Sequence, residues 1–241
     1  MNIVLFDRAE TQHALPRHDE RARHICRVLK REVGDSFDVG LINGPRGKAK
    51  LTAIDADELT LEFTWSAPHP RPAPTILGVG FPRPQTARDI LRDATTLGAT
   101  ALHFVATRRS DPNYAASSLW QSGEWQRHAT NGAAQAFDTF VPTVSWHQDL
   151  AGCIADPAFA GVKRLALDVY GAAAPLAKLS LPTPDQPVLA LIGPERGWDD
   201  ADRALFTAND IPRFHLGERV LRTETAVTAT MALINAARLR A

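Results

Sequence analysis

The chain has 241 residues, 22% of them charged and 44% hydrophobic, enough apolar material for one large folded domain or two modest ones. Its 27 Lys+Arg balance 27 Asp+Glu, so any attraction to nucleic acid or anionic lipid has to come from a local patch. Cys26 and Cys153 are far apart and have no Cys/His cluster near them, which excludes a disulfide scaffold and a cysteine-based zinc site and suits a reducing compartment.

The opening MNIVLFDRAE reaches charge at Asp7 and Arg8, too early for a signal-peptide apolar stretch, and no run approaches the ~18 apolar residues of a membrane helix. A cytoplasmic protein without a membrane partner is expected. Residues 2–6 are apolar and β-branched and predict a strand. Asp19 is placed to cap a helix over residues 20–31, with Ala22, Ile25, Cys26 and Leu29 on one face. Gly34-Asp35 turns the chain into a strand over 36–42. After the loop 43–47, residues 48–54 and 59–65 alternate as strands do. Roughly five short strands in this stretch predict a small β-barrel. Basic residues crowd it: Arg17, Arg21, Arg23, Arg27, Lys30 and Arg31 on or beside the helix, then Arg46, Lys48 and Lys50 after the loop. Such density can neutralise phosphates and position an RNA, although charged helices are also commonly just solvated.

The segment SAPHPRPAP at residues 66–74 carries proline at every second position from Pro68, so it has lost backbone donors and favours extended geometry. It predicts a linker over 67–74 between an N-terminal domain, 1–66, and a larger one, 75–241. In the larger domain strand, loop and helix alternate. Strands are expected at 75–81, 101–107, 165–169, 188–192 and 214–216, and helices at 86–97, 124–137, 200–208 and 223–240. That alternation predicts an α/β fold with a mainly parallel sheet.

Ligands of such sheets collect at the carboxyl ends of strands. Three strand ends stand out here. Ile192-Gly193-Pro194-Glu195-Arg196-Gly197-Trp198 allows a tight turn and close backbone approach, followed by Asp199 and Asp202 as a helix cap. Leu216-Gly217-Glu218-Arg219 stops a strand at glycine. Val220-Leu221-Arg222-Thr223-Glu224-Thr225-Ala226 opens the last helix and sets Arg222 and Glu224 in apolar surroundings. These loops could surround a flat, nucleoside-like ligand; each alone is equally well a turn and a cap. Gly78-Val79-Gly80 lacks the third glycine of a dinucleotide fingerprint and meets Pro82 and Pro84, so it reads as a plain strand end. No phosphate loop is present. The histidines are scattered without metal-ligand spacing. Arg83, Arg88, Arg92, Arg108 and Arg109 form a second basic group.

The string GPERGW…HLGERVLRTETA resembles the C-terminal signature of the RsmE family of 16S rRNA (uracil-N3) methyltransferases, of the SPOUT class. Glu195, Gly197, Leu216, Gly217, Leu221, Arg222, Glu224, Thr225 and Ala226 match it in order and spacing. ARHICRVLKREVGD resembles the family's PUA-like N-terminal segment, ILRDATTLGA its helix ending in a Leu-Gly pair, and Gln135 with Val141-Pro142 its Q…VP element. The resemblance spans essentially the whole chain. Arg196 replaces the second glycine of the family's GPEGG loop, Trp198 its usual aromatic, Thr96 a glutamate and Asp138 a common arginine.

The resemblance implies a SPOUT-type trefoil-knotted α/β domain with a parallel sheet, preceded by a small PUA-like β-barrel domain. It implies S-adenosyl-L-methionine held by loops at 167–170, 192–197 and 216–221, through Leu167, Ile192, Gly193, Pro194, Glu195, Gly197, Leu216, Gly217, Leu221, Thr225 and Ala226. It further implies a homodimer acting on N3 of a uridine in small-subunit ribosomal RNA, and neither a metal nor a second cofactor. Arg222 is then the group that stabilises charge on the methyl acceptor, with Glu224 orienting it or assisting proton removal. Arg23, Arg27, Lys30, Arg31, Arg46, Lys48, Arg83 and Arg109 are the expected RNA contacts. The alternatives are a SPOUT methyltransferase acting on another RNA base or on tRNA, and a non-catalytic PUA-like RNA-binding factor. A nicotinamide-dependent oxidoreductase is opposed by the broken glycine pattern.

Overall fold

Alternation of apolar and polar residues near the N-terminus builds a five-stranded sheet in the computed structural model, which describes residues 2–241; residue 1, where the expected N-terminal domain begins, lies outside the described residues. Its elements are Val4–Phe6 (β1), Leu15–Pro16 (β2), Glu20–Arg23 (α1), Ser36–Leu41 (β3), Arg46–Ile54 (β4) and Glu58–Trp65 (β5). The strand order is β1-β3-β4-β5-β2; β1 runs parallel to β3 and the other pairs are antiparallel. The inward side chains Val4, Phe6, Ile25, Phe37, Val39, Leu51 and Leu59 form the core.

Asp19 caps α1 as expected, accepting the Arg21 N–H at 2.7 Å. The helix is shorter than the 20–31 expected. From His24 to Val28 it widens into a π turn, closed by the Leu29 N–H on the His24 carbonyl at 2.9 Å, and Lys30 then takes a left-handed φ of 52° that ends it.

The residues through Arg71 form one compact unit together with Ala133–Val141, while Pro72–Gly132 and Pro142–Ala241 form the second. No composition shift marks the segment that belongs with the first unit. Ala133 is buried with Ile3 and Leu5, Thr139 Oγ1 donates to the Gly44 carbonyl at 2.6 Å, and His69 of the proline-rich stretch meets Asp138 at 2.9 Å.

The second unit contains Thr75–Gly80 (β6), Pro84–Thr96 (α2), Ala101–Val105 (β7), Pro112–Ala115 (α3), Ser118–Gln121 (α4) and the helix Glu124–Gln135 (α5), whose last turn passes into the first unit. It continues with Thr143–His147 (β8), Leu150–Ile154 (α6), Lys163–Leu167 (β9), Ala174–Pro175 (β10), Val188–Ile192 (β11), Asp200–Ala208 (α7), Arg213–His215 (β12) and Thr223–Arg238 (α8). All seven strands are parallel, in the order β10-β12-β9-β11-β6-β7-β8. A parallel sheet needs cover on both faces. Leu77, Val79, Leu102 and Phe104 pack with α2 and α8 on one side, through Ile90, Leu91, Val227 and Met231. Val105, Leu189 and Leu191 pack with Ile154, Phe159, Trp198 and Phe206 on the other.

Several bounds differ from expectation for local reasons. Helix α2 starts at Pro84 because proline is preset for the first helical turn. Strands β8 and β10 and helices α3, α4 and α6 were not expected. Helix α7 carries the anticipated capping box of Asp199 and Asp202. No helix among the described residues is long and apolar enough to cross a membrane.

Candidate functional site

Strands β12, β9 and β11 are neighbours, so the loops leaving their carboxyl ends lie side by side. With the first turn of α8 they line a pocket of about 280 Å³. Leu167, Ile192, Phe214, Leu216, Leu221 and Ala226 supply its apolar wall.

The loop after β11 is held in shape by its glycines. Gly197 has a φ of +67° and its N–H closes a turn on the Pro194 carbonyl at 2.8 Å. A Cβ at Gly193 would stand 3.1 Å from the Gly197 Cα, so a side chain there would press the turn apart by a few tenths of an ångström. Pro194 in turn occupies the space beside Gly80, where a Cβ would collide with the proline ring. The Gly78-Val79-Gly80 run is therefore a packing surface for the neighbouring strand end, in keeping with its reading as a strand end.

Side chains tie the loops together. The buried Trp198 indole donates to the Leu167 carbonyl at 2.9 Å, joining the ends of β11 and β9. Arg109 Nη1 donates to the Arg196 carbonyl at 2.8 Å. Asp168, at the end of β9, is buried and receives Arg203 Nε at 2.8 Å, with Arg213 at 3.8 Å and the Tyr170 N–H at 3.0 Å. A buried carboxylate needs such partners, and they leave it no net charge to offer a ligand. Below the loop, burial pushes the Asp202 carboxyl above its ordinary 3.8, against the bond it accepts from the Asp199 N–H. The lining also carries the basic Arg109, Arg196 and Arg219 and the acidic Glu195.

Of the residues expected at a cofactor site, Leu167, Ile192, Gly193, Pro194, Glu195, Gly197, Leu216, Gly217, Leu221 and Ala226 line this pocket. Thr225 does not; it is exposed on α8. Arg222 and Glu224 stand beside the lining rather than in it, 4.0 Å from each other, the Arg222 side chain 87% exposed. Trp198 and Thr223 line the pocket from the strand-end segments singled out in the sequence, Arg203 and Phe214 line it from outside them, and Arg109, expected at RNA, lines it too. Arg203 reaches Asp168 from 35 residues away, and no spacing signals that pairing.

The remaining expected RNA contacts divide by exposure. Arg23, Arg27, Lys30, Lys48 and Arg83 are exposed, while Arg31 and Arg46 are half-buried. Lys48 is paired with Asp38 at 2.7 Å, Arg46 lies 3.6 Å from Asp138, and Arg83 Nε donates to the Tyr114 hydroxyl at 3.2 Å.

Residues 69–235 match the RNA methyltransferase domain family, and residues 18–64 match the RNA methyltransferase PUA domain. The ribosomal RNA small subunit methyltransferase E of Treponema pallidum is 33% identical, over 97% of this chain and 90% of that protein. The chain belongs to this RNA methyltransferase family. Solved members share its fold. A probable rRNA-methyltransferase from Porphyromonas gingivalis superposes with a TM-score of 0.80 at 22% identity, covering 99% of each chain. The ribosomal RNA small subunit methyltransferase E of Neisseria gonorrhoeae, crystallised bound to S-adenosyl methionine, superposes with a TM-score of 0.79 at 20% identity over 96% of this chain and 95% of that one. Membership of the methyltransferase family agrees with the rejection of a dinucleotide fingerprint at Gly78–Gly80.

Proposed function

We propose that this family member is an S-adenosylmethionine-dependent enzyme that methylates N3 of a uridine in the 16S RNA of the small ribosomal subunit. The observation that carries the reading is the convergence of the loops after β9, β11 and β12 on one pocket, with GPERGW, LGERVL and the start of RTETA as its walls. The relative from Treponema pallidum, named for the same class of substrate, supports it.

The residues present fit the cofactor. The pocket is close in size to the ~300 Å³ at which small-molecule sites begin, and pairs an apolar wall with loop backbone as such sites do. Gly197 and Gly217 both have positive φ and leave open space where a side chain would stand, so a ligand can approach the main chain there. Leu167, Ile192, Leu216, Leu221 and Ala226 would hold the adenine ring, and the turns at Gly193–Gly197 and Gly217 would offer it backbone groups. When bound, S-adenosylmethionine supplies a methyl group activated by its sulfonium.

Uracil N3 carries a proton and becomes nucleophilic only as that proton leaves, which puts negative charge on the flanking carbonyl oxygens. Arg222 is suited to stabilise that charge: it lies between the pocket residues Leu221 and Thr223, its guanidinium is largely free, and Glu224 is near enough to orient it or take the proton. Because N3 is the pairing edge of uracil, the base must be unpaired or unstacked to react. Arg23, Arg27 and Lys30 serve to position the RNA through its phosphates, and Arg83 and Arg109 do so on the unit that carries the pocket. The division at residues 67–74, a trefoil knot in the C-terminal domain, homodimeric assembly with the site completed by a second copy, and action in the cytoplasm belong to the same reading.

Substituting Arg222→Ala tests the assignment. Transfer falls by about 10²–10³-fold, the magnitude for losing one charge-stabilising donor, while cofactor affinity and the unfolding transition stay as in the wild type. Unchanged turnover would overturn the role given to Arg222.

A further inference from the structure

Apart from the pocket, three potential metal ligands meet on the sheet face that carries Val105. Pairing of β7 with β8 sets His103 opposite Ser145 and Val105 opposite His147, so the two imidazoles stand one pleat apart on the same side. His103 Nδ1 lies 2.9 Å from His147 Nε2, and Asp156 Oδ2 lies 4.0 Å from that same His147 nitrogen. All three donor atoms fall within 4.8 Å of one another. Asp156 follows α6 and caps the turn at Pro157–Phe159, its Oδ1 accepting the Ala158 N–H at 2.9 Å. That bond fixes the carboxylate and leaves Oδ2 toward the histidines. The cluster is set into the fold: His103 is buried and meets the Phe159 ring edge-on at 4.9 Å.

We propose that His103 Nδ1, His147 Nε2 and Asp156 Oδ2 form a structural site for one divalent ion of the zinc class, which clips edge strand β8 and the turn after α6 to β7. Two imidazoles and one carboxylate suit zinc, cobalt or nickel and disfavour magnesium and calcium, which take all-oxygen shells. With Zn–N bonds of about 2.0–2.1 Å, neighbouring donors in a tetrahedral site stand roughly 3.3 Å apart. The rings need to open and the carboxylate to close by less than the reach of ordinary side-chain adjustment. Water completes the shell. Only one N–H can lie on the line between the two rings; as the ion enters, that ring changes tautomer, the proton passing to its other nitrogen, so both neutral imidazoles present a lone pair with no net proton lost. Pairing across the sheet creates the site from positions 44 residues apart, which is why no sequence spacing reveals it.

Chelator-stripped, tag-free full-length protein is titrated with cobalt(II), read by visible d–d absorption, and with zinc(II) in competition with a chromophoric chelator. The expected result is one equivalent of either metal and a raised Tm. His147→Gln is expected to weaken binding at least 100-fold, and Asp156→Asn, which can keep the turn cap through its amide oxygen, by about 10-fold or more. The exposed His13→Gln variant binds as wild type. Absence of saturable binding by the wild type, or unchanged affinity in both site variants, would overturn the proposal. Should His147→Gln lose its native circular dichroism, the Asp156→Asn titration decides alone. None of these measurements reads methyl transfer, so the outcome is independent of the proposed reaction.

Discussion

Glu195, in the loop after β11, accepts the backbone N–H of Arg83 at 2.8 Å across 112 residues of sequence. The bond braces the loop that turns at Gly193 and Gly197 against the start of α2, since β11 and β6 are adjacent. It gives Glu195 a positioning role that any good acceptor could fill. Glu195→Gln should therefore bind S-adenosylmethionine nearly as the wild type does. Glu195→Ala should lose about fivefold, the equivalent of one hydrogen bond of roughly 1 kcal/mol. Calorimetric titration of both variants checks this. Equal losses would mean that the negative charge, and not the acceptor, is what matters.

Trp198 provides a second brace, with a cost in stability. Its indole N–H serves the Leu167 carbonyl in a site only 1% exposed, and its ring packs edge-on to Phe206 at 5.1 Å. Trp198→Phe keeps much of the packing but strands a buried carbonyl. The expected loss is about 1–3 kcal/mol in unfolding free energy, visible as a lower denaturant midpoint.

Much of this architecture is legible in the sequence because it is local. Val188–Ile192 and Asp200–Ala208 match their expected bounds to the residue, one a wholly buried apolar run and the other delimited by a capping box. Thr143–His147 escapes notice because it is an edge strand whose polar and aromatic side chains alternate in partial exposure. The ends of helices are set by events that composition does not encode, such as the left-handed Lys30 that stops the first helix. In the site, glycine turns announce themselves, whereas Arg203 on Asp168 and His103 on His147 depend on which strands become neighbours. The return of residues 133–141 to the first unit has the same origin: it is fixed by contacts of Ala133 with Ile3 and Leu5, formed only once the chain has folded.

Acid should unfold the N-terminal unit through Arg21, which pairs with Glu10 at 2.7 Å and Asp19 at 2.8 Å. Arg21 hydrogen bonds hold Glu10 below its ordinary 4.5. Burial alone would raise Asp19, but its bonds to Arg21 outweigh that and hold it below 3.8. Both carboxyls are lowered on folding, so their contribution is complete above the unfolded values and disappears as pH falls through the folded ones. The stability difference between wild type and Arg21→Met should thus shrink as pH drops below about 4.5. Denaturant midpoints at stepped pH measure it; a gap that stays constant would assign Arg21's effect to its contact with the Phe6 ring.

RNA positioning can be separated from catalysis at exposed charges. Arg27 and Lys30 are exposed, whereas Arg31 buries its Nε without a hydrogen-bond partner, so reversing its charge would perturb the fold. The double variant Arg27→Glu, Lys30→Glu should weaken binding to small-subunit RNA and reduce the slope of log K against log salt by about 2, with S-adenosylmethionine affinity unchanged. Filter binding across a salt series reads the first and calorimetry the second. Equal losses of both would indicate misfolding.

The central claim is tested by incubating the protein with labelled S-adenosylmethionine and 30S subunits that lack native N3-methylation, then digesting the RNA for nucleoside mass spectrometry. The account predicts 3-methyluridine at one position in the wild-type reaction and a near-absent signal with Arg222→Ala. A methylated nucleoside other than 3-methyluridine, or no product from protein that binds the cofactor, would contradict it.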